Sequence, residues 1–121
     1  IRWKKMSRLN YAFLLVTLFP QISDAAAVED EVSYLLGVVD NSDCRFVRND
    51  ISYSNEEFQQ HLMSKWQQNE ELISSAEDFI EKIATRSSIS GSPYVALCGG
   101  ELQIVKDWFI GLLESHRRSN H

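Results

Sequence analysis

The stretch Ser75 to Cys98 constrains the fold more than any other, because the backbone has to change state twice along it. Between Ser75 and Ser88 the apolar residues Ala76, Phe79, Ile80, Ile83 and Ala84 recur at helical spacing, with Glu77, Asp78, Glu81 and Lys82 on the opposite side. One face of that helix must therefore be covered by a core. The run Ser87-Ser88-Ile89-Ser90-Gly91-Ser92-Pro93 then stops it: serines prefer local hydrogen bonds, Gly91 permits a positive φ, and Pro93 disfavours helix at Ser92. Tyr94-Val95-Ala96-Leu97-Cys98 has strand composition and is punctuated by Gly99-Gly100.

At the start of the chain Arg2, Lys4, Lys5 and Arg8 precede the apolar run Tyr11 to Phe19, followed by Pro20 and the small residues Ser23, Ala25, Ala26 and Ala27. Charge, apolar core and small residues in that order read as a secretory signal peptide over residues 1–27, with Met6 as a candidate start residue. The apolar core is far shorter than the ~20 residues that span a bilayer. No cysteine follows it directly, so a lipid anchor is not expected, and removal of the leader leaves no membrane span. The expected mature chain is a single small domain over residues 28–121 in the periplasm. The full chain has 17 acidic and 12 basic residues, and the leader carries away mostly basic ones, so the mature chain is more acidic than the formal net charge of −5. An acidic chain with no basic stripe repels phosphate backbones, which argues against nucleic acid as a partner.

Cys44 and Cys98 both lie in the mature part, where an oxidising compartment allows them to pair. If they are bonded, antiparallel pairing of their strands follows, with Cys44 facing Cys98, Phe46 facing Ala96 and Arg48 facing Tyr94. Upstream, Val28, Val32, Leu35, Leu36 and Val39 form the stripe of a helix over 28–39, and Cys44 to Asn49 reads as a strand closed by Asn49-Asp50. Ser54 and Glu57 form a capping box that opens a helix expected to reach Ile73. A second box, Ser74 with Glu77 or Ser75 with Asp78, opens the next one. The last helix runs from Ile104 to about Arg117, with Val105, Trp108, Phe109, Leu112 and Leu113 on one side and Arg117 opposing the C-terminal end of the dipole. The expected fold is α+β, about four helices packed around a short two-stranded antiparallel ribbon. No metal-type Cys/His cluster, phosphate loop or repeat appears, so no metal or cofactor is expected.

The series Cys44-x-Phe46-Val47-Arg48-Asn49, Tyr53, His61-Leu62-x-x-Lys65-Trp66, Ser75-Ala76-Glu77-x-Phe79-Ile80 and Ser87-Ser88-x-Ser90-Gly91-x-Pro93-Tyr94 resembles the YfeK-like family of small exported bacterial proteins. The resemblance covers nearly all of the mature chain. It implies export from a Gram-negative cell and an α+β fold, and supplies no reaction, cofactor or partner, because that family is a domain of unknown function. Asp50 stands where such proteins carry a glycine after Arg-Asn, which implies a looser turn.

The candidate chemistry lies where polar residues interrupt apolar faces. On the helix opened by Ser54, the apolar arc of Phe58, Leu62, Trp66, Leu72 and Ile73 has Lys65 and Asn69 in its middle and His61 at its edge. Ser87 likewise falls within the apolar arc of the next helix. A buried polar group left unsatisfied costs about 1 to 3 kcal/mol, so these residues point to a polar cluster in or beside the core. One use of it is a small-ligand or anion site built from Arg48, His61, Lys65, Ser87, Ser88 and Ser90, with the turn amides near Ser90 and Gly91. Another is a small serine hydrolase using Ser88, or Ser87, as nucleophile with Lys65 or His61 as base. That reading lacks a Gly-x-Ser-x-Gly elbow, a Ser-x-x-Lys pair and an acidic third member. In a purely structural reading the same groups satisfy helix-end carbonyls and turn amides. Arg48 is expected to act in that way, as a clamp on the carbonyls of Ser87 to Gly91. The expected function is a non-enzymatic binding or structural module of the cell envelope, its partner an envelope protein or a small ligand.

Overall fold

The computed structural model describes residues 24–120; the expected leader up to Ser23 lies outside them. Helix α1, Asp24–Asp40, buries Val32, Leu35, Leu36 and Val39 along one stripe. Strands β1, Arg45–Arg48, and β2, Ile51–Tyr53, form a hairpin. Helix α2, Asn55–Gln68, starts at the capping box: the Ser54 hydroxyl accepts from Glu57 N at 3.1 Å, and Glu57 Oε1 accepts from Ser54 N at 2.9 Å. A short 3-10 turn, Glu70–Leu72, leads to helix α3, Ala76–Lys82. Strands β3, Val95–Cys98, and β4, Glu101–Ile104, form a second hairpin, and helix α4, Val105–Ser119, closes the described chain. None of the helices among the described residues is long and apolar enough to cross a membrane.

The fold is α+β, and its sheet has four antiparallel strands in the order β2-β1-β3-β4, not the two of a simple ribbon. The centre pairs as the cysteines require, with Phe46 opposite Ala96, and Cys44 and Cys98 are joined with their Cα atoms 4.3 Å apart. Closing a loop between cysteines 54 positions apart restricts the unfolded chain by about 4 kcal/mol. The added strands come from two tight turns. Asn49 and Asp50 both have positive φ, 54° and 64°, the geometry of a two-residue hairpin turn whose twist matches its strands. Asp50 therefore does not loosen the turn as its replacement of a glycine implies. Gly99 and Gly100 repeat the device at 58° and 87°.

Two helices are shorter than their apolar spacing predicts. Asn69 ends α2, its amide donating back to Lys65 O at 2.7 Å, so the apolar residues as far as Ile73 do not extend it. Ser75 caps α3 by accepting from Asp78 N at 3.0 Å, while the Asp78 carboxylate accepts from Ser74 N at 3.0 Å, so neither expected box closes fully and the two serines share the cap. That helix stops at Lys82 rather than Ser88, because Thr85 donates to Ile80 O at 2.7 Å and Ser87 N turns outward to Ser92 O at 2.9 Å. Tyr94 N then donates to Thr85 O at 3.1 Å, closing residues 85–94 into a loop tied at its base.

The core lies between the helices and the sheet face that carries Phe46 and Ala96. Phe46 stacks on Phe58 at 4.4 Å, and Phe79, Phe109, Leu62 and Tyr94 complete it, all fully buried. Trp66 and Trp108 pack against this core from its rim.

Candidate functional site

Helical spacing places His61, Ser64, Lys65 and Gln68 on one stripe of α2. That stripe forms one wall of a cleft of about 250 Å³. Arg48 at the end of β1 and the loop residues Ser87, Ser88, Ile89 and Tyr94 line the rest. The β1–β3 register accounts for part of this, since it carries Arg48 and Tyr94 to the same end and face of the sheet.

Tyr94 is the hub. Its hydroxyl lies 3.2 Å from Lys65 Nζ and 3.0 Å from His61 Nε2. An ammonium can only donate, so the tyrosine oxygen accepts from Lys65 and gives its own proton to His61 Nε2. This order requires a neutral imidazole with its proton on Nδ1. The electrostatics agree: burial, reinforced by the charges of Arg48 and Lys65, lowers the His61 pKa to about 4. Burial also pushes the Tyr94 hydroxyl up, against the opposing pull of Arg48, which keeps its proton in place. Lys65 is shifted downward by burial and then by Arg48. Lys65 also donates to Arg86 O at 2.9 Å.

Lys65 therefore supplies the hydrogen bond to the loop that is expected of Arg48. Arg48 Nη2 instead donates to the Tyr53 hydroxyl at 3.1 Å, and its guanidinium sits 4.7 Å from the centre of the Tyr53 ring. Its Nε is buried without a partner. Neither Arg48 nor Lys65 forms an ion pair among the described residues, although Lys82, Lys106 and Arg117 all pair with carboxylates.

Of the residues singled out by sequence, Arg48, His61, Lys65, Ser87 and Ser88 line one cleft. Ser90 does not line it. It bonds to Asn49 Oδ1 and accepts from Ser92 N, tying the loop to the β1–β2 turn. The turn amides are committed as well: Ile89 N and Ser90 N donate to Ser87 Oγ, and Gly91 N donates to Ser87 O. Buried Ser87 thus serves as a turn acceptor, while Ser88 is exposed. No serine among the described residues is bonded to His61 or Lys65, whose contacts go to Tyr94 and Arg86, so the hydrolase reading has no nucleophile and base pair to rest on. Sequence reasoning misses Tyr94 and Tyr53 as site members. The predicted pairing of Arg48 with Tyr94 is the signal that could have found the first.

These features sit in a chain that belongs to a family of unknown function, DUF5329, whose profile matches residues 26–117. A protein of Salmonella typhimurium described as uncharacterized protein YfeK is 37% identical over 82 residues, which is 67% of this chain and 68% of that one. No solved structure matches.

Proposed function

We propose that the chain is an exported, non-enzymatic binding module of the cell envelope that takes a small anion in the cleft between α2 and the 85–94 loop. The observation that carries this reading is that Arg48 and Lys65, both partly buried, line one cleft without a carboxylate partner in a chain of net charge −5. Two cations held apart from water repel each other and suffer desolvation, and an anion between them relieves both costs. The remaining lining offers donors: Ser64, Ser88, Gln68 and the Nδ1–H of neutral His61. No acidic side chain lines the cleft to compete. Export is supported by the order of charge, apolar core and small residues at residues 1–27 and by the cysteine pair.

Titration of the disulfide-intact mature chain with inorganic phosphate and with acetate, followed by backbone amide chemical shifts, tests the reading. Saturable shifts confined to α2 and the 85–94 loop are expected, weakened about tenfold or more in Lys65→Gln and weakened by added salt. Absence of saturable shifts with either anion overturns it.

A further inference from the structure

We propose that the anion taken by this cleft is amphiphilic: an oxyanion head seated between Arg48 and Lys65, with a short apolar chain lying on Ile89 and Ile51 at the mouth. The inference rests on the anion reading and adds the class of ligand. Ile89 is the most exposed of the large apolar side chains among the described residues, at 86% of its free surface, and it lines the cleft. Ile51 is 56% exposed and sits directly opposite Arg48 across the β1–β2 hairpin. Two exposed isoleucines thus lie near Arg48, one on the 85–94 loop and one at the start of β2, and the loop and the β1–β2 turn are joined by the contact between Ser90 and Asn49.

A single exposed apolar residue needs no explanation. Ile89 differs in how firmly it is presented. Its own amide donates to Ser87 Oγ at 3.2 Å, Gly91 N donates to Ser87 O at 2.9 Å, and Lys65 holds the base of the loop through Arg86 O. The run Ser87 to Pro93, otherwise made of serines, a glycine and a proline, therefore holds its one β-branched apolar side chain out over a cationic cleft. At about 250 Å³ the cleft lies below the ~300 to 1,000 Å³ of pockets that enclose drug-sized ligands, so it takes a head group and leaves a tail on the lip.

The same head-group chemistry occurs on free short-chain carboxylates or alkyl phosphates and on bilayer lipids. The net negative charge favours the free amphiphile, because an anionic membrane repels such a chain.

The test is calorimetric titration of the disulfide-intact mature chain with acetate, butanoate, hexanoate and octanoate at fixed pH and ionic strength, all below micelle-forming concentrations. Affinity is expected to rise about two- to fourfold per added methylene, the range for partial to full burial of each group. In Ile89→Ser that dependence should fall clearly below the wild-type slope, and in the double variant Ile89→Ser with Ile51→Ser it should flatten to less than about twofold across the series. Ile89 is exposed and outside the core, so this variant keeps the fold, which a thermal melt checks. Equal affinity for acetate and octanoate, or an undiminished slope in Ile89→Ser, overturns the amphiphile while the anion reading stands. Silence with every anion removes both. Binding to anionic phospholipid vesicles that octanoate fails to displace would assign the surface to membranes and overturn the proposal.

Discussion

Arg117 and Arg48 lie in different parts of the same small domain and are treated in opposite ways. Arg117 on α4 is held by two carboxylates: Nε and Nη2 donate to Glu31 of α1 at 2.7 and 2.9 Å, and Nη1 donates to Glu77 of α3 at 2.7 Å. Three helices are fastened by one planar fork. Arg48 has only the Tyr53 hydroxyl and ring, and its neighbour in the cleft is a second cation. Carboxylates are plentiful in this chain, 17 acidic residues against 12 basic, so the bare cleft does not reflect a shortage of them. The comparison separates charge used for structure from charge held available.

The largest expected effect asks whether the two regions are one cooperative unit. Replacing both Cys44 and Cys98 with alanine should cost about 2 to 5 kcal/mol, because the bond joins positions 54 apart at one end of the two central strands. Denaturant melts read at α4 and at the 85–94 loop should shift together. Separate midpoints would show that the loop opens independently and that the cleft is a local feature.

Acid separates the regions by pH window. The folded His61 pKa of about 4 lies below the ~6.5 of an unfolded histidine, so between those values the unfolded chain binds the extra proton. Stability from this residue is complete above about pH 6.5 and is lost as pH falls towards 4. The loss should be about 1 to 3 kcal/mol, less than the whole shift because the ring is only partly buried. Glu31 and Glu77 have pKa values lowered by their hydrogen bonds to Arg117, so their contribution holds above about pH 4.5 and disappears only below it. Replacing His61 with glutamine, which can still accept from Tyr94, should flatten the stability profile between pH 6.5 and 4.5. A profile unchanged by that variant would place the titration elsewhere.

Arg117→Gln should destabilise the protein by about 1 to 2 kcal/mol, since one change leaves Glu31 and Glu77 facing each other without the cation. The side chain is 39% exposed, so the low end of that range is expected and high salt should reduce it further. A loss under about 0.3 kcal/mol would make the fork ornamental, and would remove the contrast with Arg48.

How much of this was legible in the sequence follows from the range of each interaction. The β1–β3 register is readable because two cysteines fix one pair and alternation fixes the others. Strand β2 is not, since Ile51-Ser52-Tyr53 is too short to carry a pattern and pairs because β1 offers it an open edge. Strand β4 alternates, yet its apolar Leu102 faces outward at 66% exposure and the strand runs directly into α4, so spacing alone starts the helix too early. The fork of Arg117 joins residues 86 and 40 positions apart, and local reasoning finds only its favourable place at a helix end. In the cleft, the polar interruptions at His61, Lys65 and Ser87 are visible because they violate the helical pattern. What they face is not visible, and so the loop clamp falls to Lys65 and the hub to Tyr94.

The smallest expected effect on stability is also the one that most sharpens the comparison. Lys65→Met removes two hydrogen bonds, to Arg86 O and to the Tyr94 hydroxyl. Arg86 is exposed, so its carbonyl can turn to water, and Tyr94 can still donate to His61. Against these modest losses the variant ends the repulsion between Lys65 and Arg48 and the desolvation that lowers the lysine pKa. Methionine also matches the length of the aliphatic stem and packs adaptably against the Tyr94 ring. The net change in stability should fall within about 0.5 kcal/mol of zero, while anion binding is lost. Calorimetric unfolding paired with a phosphate titration measures both. A loss above about 2 kcal/mol would mean that Lys65 serves structure as Arg117 does, and the two regions would then differ in partner and not in purpose.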